Sequence, residues 1–473
     1  MPLVAGVDAS TQSTTVEVRD ADSGSVVARA SAPHPTTTPP ISEQEPATWW
    51  QAFETAWAAI GAPTVAAIAV AAQQHGAVPL DADRNVLRPA LLWNDTRAAP
   101  DARWLRTQVD DTGWAASTGS VPVAAFTIAK LSWIHRTEPE VWSRLAHLVL
   151  PHDWMTARLT GALGVGGELT TDRGDASGTG YWSPADGEYR TDLLAVVDAD
   201  RDWSDVVPRV AAPDEVVGRW GDAVVAPGTG DNMAAALGLA LAPGHAVMSI
   251  GTSGTVYARS DRPTHDATGA VAGFADATGG FLPLVCTLNG AKVLDAVRHL
   301  LGVDHGEFDR LALAAIATGS RGPTLLPYFD GERVPDLPEA TGRLVGLRSD
   351  VTREQVARAA VEGVVCGLLD GLDALRTHAP VTGQLVLTGG AARSAAVRAV
   401  VAGLCDLPVT TAPVEESVAA GACVQAASVL GQEPAERVGA RWGLTERGSV
   451  EPAELDVDDV RGRYAEARAG AVP

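Results

Sequence analysis

The segment Ala226-Pro227-Gly228-Thr229-Gly230-Asp231-Asn232 leads straight into an apolar run, so it aims a carboxylate out of a glycine-walled turn. That is where a general base belongs. Gly228 and Gly230 let the backbone turn tightly and approach a ligand closely, and Met233 to Leu241 predicts a buried helix whose amino end favours negative charge. A plain N-cap is the alternative role for Asp231, stabilising the helix by ~1 kcal/mol. Asp8 closes the apolar run Leu3 to Val7 and precedes the hydroxyl-rich turn Ser10-Thr11-Gln12-Ser13. There a carboxylate can hold Mg²⁺ through water while turn amides hold phosphate oxygens. Stabilising its own turn is the competing role. Gly251-Thr252-Ser253-Gly254 repeats the turn, with glycine where the first copy has Asp8.

Three further segments carry polar chemistry. Gln73-Gln74-His75-Gly76 follows the apolar run Val65 to Ala71 and offers neutral donors and acceptors suited to sugar hydroxyls, unless His75 is structural. Trp93-Asn94-Asp95 sets an aromatic face beside polar groups, as carbohydrate C–H faces prefer, although Trp93 also suits a core. Thr388-Gly389-Gly390-Ala391-Ala392-Arg393-Ser394 ends a strand in a glycine pair that lets a flat base or ribose lie on bare backbone.

These residues need a scaffold, and the pattern supplies one twice. Leu3 to Val7 and the alternating Thr14 to Arg19 predict a hairpin with the hydroxyl turn at its tip. Val247 to Arg259 predicts a second one around Gly251 to Gly254, just after the break Ala242-Pro243-Gly244-His245. The chain therefore reads as two related α/β domains, 1–240 and 241–473, with a ligand cleft between them. Helices are expected over 46–60, 354–378 and 393–404, and strands over 65–71 and 384–387. The stretch 451–468 reads as a solvated terminal helix.

Composition narrows the function. With 473 residues, two cores are expected. A formal net charge of -22 argues against nucleic acid and anionic membranes as partners. Lys130 and Lys292 are the only lysines and neither completes a Walker-type phosphate loop, so an anionic nucleotide must rely on backbone amides, helix ends and a metal ion. No apolar run spans a bilayer. The first residues carry no basic region, so no secretory signal and a cytoplasmic location are expected. Cys286, Cys366, Cys405 and Cys423 form no C-x-x-C pair and are expected as buried thiols.

In this order the segments resemble the FGGY carbohydrate kinase family, and within it the members that act on xylulose. The likeness extends through Ser42-Glu43-Gln44-Glu45-Pro46, Trp49-Trp50, Phe126-Thr127, Lys130, Leu150-Pro151-His152-Asp153, Leu326-Pro327-Tyr328 and Gly331-Glu332-Arg333. It implies a duplicated actin-like, ribonuclease-H-like fold and ATP-dependent phosphorylation of the terminal hydroxyl of a ketopentose, D-xylulose foremost. By the same resemblance Asp231 is the catalytic base, and Gln74, His75, Trp93 and Asn232 bind the sugar. Thr11, Ser13, Gly251, Thr252, Gly389, Gly390 and Ser394 bind ATP, and Asp8 organises Mg²⁺. A homodimer is implied too. Gln74 stands where these members commonly have Met, which leaves ribulose, glycerol or a pentitol as alternative acceptors. An actin-like ATPase of chaperone or filament type is the alternative from another class, and it would have no small acceptor.

Overall fold

A computed structural model describes residues 2–164, 166–319, 322–412, 414 and 416–470. The chain forms two compact units, one of Met1–Leu241, Asp261–Leu282 and Val414–Thr445, the other of Ala242–Ser260, Pro283–Pro413 and Glu446–Pro473. The sequence reading cuts the chain once, between 240 and 241. The units change over after Leu241 and then exchange two further segments.

In the first unit the central sheet runs Gly218–Trp220, Ala223–Val225, Ala67–Ala72, Leu3–Ala9, Ser13–Asp20, Val26–Pro33. Leu3–Ala9 and Ser13–Asp20 pair antiparallel, as the expected hairpin, with Asp8 opposite Thr15. Leu3–Ala9 also pairs parallel with Ala67–Ala72, setting Asp8 beside Ala71, and Thr229–Gly230 pairs parallel with the same strand, setting Thr229 beside Ala71. Strands buried on both faces read as continuous apolar runs, which is why Leu3–Ala9 and Ala67–Ala72 show no alternation. This register delivers Asp8 and the Asp231 turn to one end of one sheet.

The helix Ser417–Gly431 covers a face of that sheet through small residues. A Cβ on Gly6 would lie 2.2 Å from the Ala419 carbonyl oxygen, and one on Gly421 would lie 1.7 Å from that of Ala234. Such close backbone approach demands glycine. It joins Ser417–Gly431 to the helix Asp231–Gly238 that begins with the candidate base. On the other side of the sheet Trp49, Phe53, Met155 and Trp154 pack against Val7, Val16 and Val70.

The second unit repeats the plan. Ala246–Ile250 and Gly254–Ala258 form the second hairpin, Ala246–Ile250 pairs parallel with Leu385–Thr388, and Phe281–Thr287 flanks Gly254–Ala258. The duplication thus extends beyond the hairpin to the parallel neighbour. Arg353–Arg376, started by a reciprocal Thr352–Gln355 cap, supplies the long buried helix.

Several boundaries differ from expectation. The helix of the Asp231 segment ends at Gly238 rather than Leu241. The stretch expected as one helix over 393–404 breaks at Ser394, which caps Ala395–Leu404 after a short turn Gly390–Arg393. The terminal helix begins only at Val457 and buries Val460, Tyr464 and Ala467, so one stripe of it is packed rather than solvated. All four cysteines are unpaired, but only Cys366 and Cys423 are buried; Cys286 and Cys405 are half-buried. Among the described residues no helix is long and apolar enough to cross a membrane.

Candidate functional site

Gly228 has φ +81°, and a Cβ there would lie 2.5 Å from the Val70 carbonyl oxygen, so only glycine makes this turn. The Gln425 amide grips it from the opposite side, accepting from Gly228 N and donating to Gly228 O at 3.0 Å each. Gly230 occupies the helix cap without a side chain, and Asp231 is the first helical residue. The carboxylate is therefore not spent as the N-cap. Its Oδ1 accepts from the backbone N and side-chain Nδ2 of Asn232, both at 2.8 Å, and the same Nδ2 reaches Gln74 Oε1 at 3.1 Å. Burial pushes the Asp231 carboxyl up to about 6 against the pull of these donors. A base poised near neutrality suits proton abstraction.

Asp8 is buried, and burial together with the negative charges of Asp231 and Glu416 raises its pKa well above the carboxylate range. Its Oδ1 is shielded from solvent and has no hydrogen-bond partner among the described residues. An orphaned buried carboxylate oxygen facing other carboxylates fits a hard divalent cation, which takes oxygen ligands. Beside it, Thr11 Oγ1 accepts from Trp93 Nε1 at 2.9 Å and donates to Gln73 Oε1 at 3.3 Å. Gln44 Nε2 donates to the Thr11 carbonyl. Ser13 closes this turn, its carbonyl accepting from both Ser10 N and Ser10 Oγ at 3.0 Å.

His75 adopts φ +67°, a costly conformation for a residue with a side chain. Its ring stacks on Phe126 with centroids 5.0 Å apart, and Nδ1 meets the Gly178 carbonyl at 2.6 Å. A carbonyl only accepts, so Nδ1 carries the proton and a neutral ring keeps Nε2 as an acceptor. Trp93 is half-buried, its ring braced by the bond to Thr11.

The second unit holds the other expected residues. Gly389 has φ +87°, and a Cβ would lie 2.7 Å from backbone atoms of Ile250, whereas nothing among the described residues lies within 4 Å of one on Gly390. The glycine pair thus splits into a packing position and an open one. Carbonyls of Gly251 and Thr252 accept from Ala291 N at 2.7 Å and Gly290 N at 3.3 Å, which fixes the turn while Thr252 stays exposed. The Ser394 hydroxyl is committed to Asp309 and to Val397 N as a helix cap, so its hydroxyl is not turned to a ligand.

The first unit thus joins Thr11 to Trp93 and links Gln74, Asn232 and Asp231 in one hydrogen-bonded group, with Asp8 close enough to Asp231 for their charges to interact; His75 is instead held by Gly178 and Phe126, and Ser13 by its own turn. Sequence reasoning missed Gln425, Phe126 as a stacking partner, Asp309, and the bond from Thr11 to Gln73. Gln425 carries no local signal, because it lies 197 residues from the turn it holds.

Comparison with known proteins gives the same picture. The N-terminal domain of the FGGY family of carbohydrate kinases matches residues 3–238, and its C-terminal domain matches 246–430. The xylulose kinase of Streptomyces coelicolor is 46% identical over 471 residues, spanning 96% of this chain and 94% of its own. That of Streptomyces rubiginosus is 44% identical, spanning 100% and 97%. The crystal structure of xylulose kinase from Bifidobacterium adolescentis matches with a TM-score of 0.86 at 40% identity, covering 99% of each chain. With its two duplicated actin-like domains and a family-model match along most of its length, the chain belongs to the FGGY family of carbohydrate kinases.

Proposed function

We propose that this kinase transfers the γ-phosphoryl group of ATP to the terminal hydroxyl of D-xylulose, giving D-xylulose 5-phosphate. The observation that carries the reading is Asp231, an oriented carboxylate held near pKa 6 at the head of a helix in a glycine-walled turn. The full-length likeness to xylulose kinases supplies the acceptor.

In this reading Asp231 Oδ2 takes the hydroxyl proton, because Asn232 occupies Oδ1. Gln74, Asn232 and His75 Nε2 orient the sugar hydroxyls, and Trp93 walls the pocket. Phosphoryl transfer proceeds through a loose transition state, so alignment and charge neutralisation supply most of the rate. Thr11 and Ser13 with Gly251 and Thr252 offer donors to phosphate oxygens, and Gly389 and Gly390 leave bare backbone for the adenosine. Asp8 would hold Mg²⁺, which when bound supplies positive charge to the phosphates. Cytoplasmic location belongs to the same reading, since that compartment holds ATP and keeps unpaired cysteines reduced.

The test is ADP release measured across pentuloses, hexuloses, glycerol and pentitols. D-xylulose is expected to give the highest kcat/KM. A polyol or another ketose in that place would overturn the acceptor, and ADP release indifferent to every sugar would point to an ATPase without one.

A further inference from the structure

Beneath the Asp231 turn lies a buried ionic cluster that the reading above does not use. His152, in the helix Pro151–Thr160, is fully buried. Its Nδ1 lies 2.6 Å from Asp175 Oδ2, and its Nε2 lies 3.2 Å from Asp153 Oδ1 and 3.9 Å from Asp172 Oδ1. Ligand atoms on a tetrahedral metal ion at zinc-like distances sit about 3.4 Å apart. The 2.6 Å contact is therefore a hydrogen bond rather than a pair of metal ligands, whereas His152 Nε2 and Asp153 Oδ1 approach each other without hydrogen-bond geometry.

The Asp231 turn and the His75 contact both connect to this cluster. A Cβ on Gly228 would lie 2.7 Å from His152 Cδ2. Asp172 accepts from Thr229 Oγ1 at 2.7 Å, two residues before Asp231, and from the N–H groups of Gly174 and Asp175 at 2.8 Å. The short helix Arg173–Ser177 that follows ends at Gly178, whose carbonyl accepts a hydrogen bond from His75 Nδ1.

We propose that His152 is a positioning residue whose imidazolium, by binding Asp175 and Asp153, holds the segment Asp172–Gly178 so that it fixes His75 through Gly178 and the Asp231 turn through Thr229. The inference rests on the reading of Asp231 and His75 as the sugar-side groups. The carboxylates of Asp153, Asp172 and Asp175 raise the His152 pKa to about 9 against the opposing effect of burial. Burial pushes the Asp175 carboxyl up to about 7 in spite of the imidazolium. Tyr181 and Tyr189, close to these carboxylates, have pKa values raised by burial and stay neutral. Because the folded His152 pKa lies above its ordinary 6.5, the contribution of its protonation is complete below 6.5 and is lost as pH rises through about 9, while Asp175 takes up a proton below about 7, so the charged pair is fullest between about 7 and about 9.

The experiment compares His152→Gln, His152→Lys and Thr229→Val with the parent enzyme, using its best sugar acceptor and following kcat/KM for sugar and for ATP against pH. His152→Gln, which cannot carry charge, is expected to lower kcat/KM for sugar at least ~10-fold, within the range that an ångström-scale misplacement costs. The KM for ATP should hold. His152→Lys should recover most of the loss and move the alkaline limb above its position near 9. If His152→Gln does not fold, Thr229→Val decides: it keeps His152 but cuts the link to the turn, and kcat should fall about tenfold with the melting temperature retained. Parental kcat/KM and an unchanged pH profile in His152→Gln, or parental kcat in Thr229→Val, would overturn the proposal. Asp231→Ala run in parallel separates the two claims, since parental turnover in that variant would remove the underlying reading instead.

Discussion

Asn232 donates twice to Asp231 Oδ1, from its backbone N and from its side-chain Nδ2, each at 2.8 Å. Two donors of one neighbouring residue thereby fix the rotamer of the carboxylate. The same Nδ2 reaches Gln74 Oε1, so base and sugar-side amides form one connected group. A base held in one orientation needs no reorganisation when the hydroxyl arrives.

The pH dependence follows from that geometry. Asp231 acts as a base only when ionised, and its pKa stands at about 6. Hence kcat/KM should be level from about 7 up to the alkaline limb near 9 that His152 sets, and fall tenfold per unit below about 6. Asn232→Ala removes a donor that stabilises the ionised form, so the acidic limb should move to higher pH. A profile flat down to pH 5 in the parent enzyme, or a limb unmoved in the variant, speaks against Asp231 as the titrating base.

The turn itself accepts only glycine at position 228. Gly228→Ala places a Cβ at φ +81°, 2.5 Å from the Val70 carbonyl oxygen and 2.7 Å from His152 Cδ2. Left-handed strain alone costs ~1–3 kcal/mol, and both neighbours are buried and rigidly held. Thermal denaturation should show a lowered melting temperature, and turnover should fall with it. A variant as stable and active as the parent would mean that the turn has more room than this geometry allows.

Asp8 makes the opposite kind of prediction. A buried carboxylate oxygen without a partner is costly, so Asp8→Asn should leave the melting temperature unchanged or raise it. Activity should nevertheless fall, with the Mg²⁺ concentration for half-maximal rate rising at least ~10-fold as an anionic oxygen ligand is lost. A Mg²⁺ titration at saturating ATP and sugar reads this directly. An unaltered titration would remove Asp8 from the cation site.

Much of this was legible in the chain, and the limits have physical causes. Alternation over Thr14 to Arg19 and the apolar run Leu3 to Val7 identify the first hairpin because strand period is local. The nearness of Asp8 to Asp231 is not local. It depends on the strand Ala67–Ala72 pairing parallel with both Leu3–Ala9 and Thr229–Gly230. Likewise the Gln425 clamp arrives on a helix that returns to the first unit after the whole of the second hairpin and its neighbours. The N-cap role open to Asp231 belongs to Gly230, since the extended strand Thr229–Gly230 runs directly into the helix and leaves the carboxylate one position inside it. Ser394 shows what a glycine-rich turn does not reveal. Its hydroxyl finds Asp309, 85 residues away, a partner that spacing alone does not reveal.

The central claim is that the Asp231 carboxylate takes the proton from the sugar hydroxyl. Turnover of Asp231→Ala at saturating D-xylulose and ATP, with ATP affinity measured by calorimetry on the same preparation, tests it most directly. The expected result is a loss of at least ~10²-fold in kcat, the lower end of what a general base contributes, with ATP affinity retained. Turnover near that of the parent enzyme would contradict it.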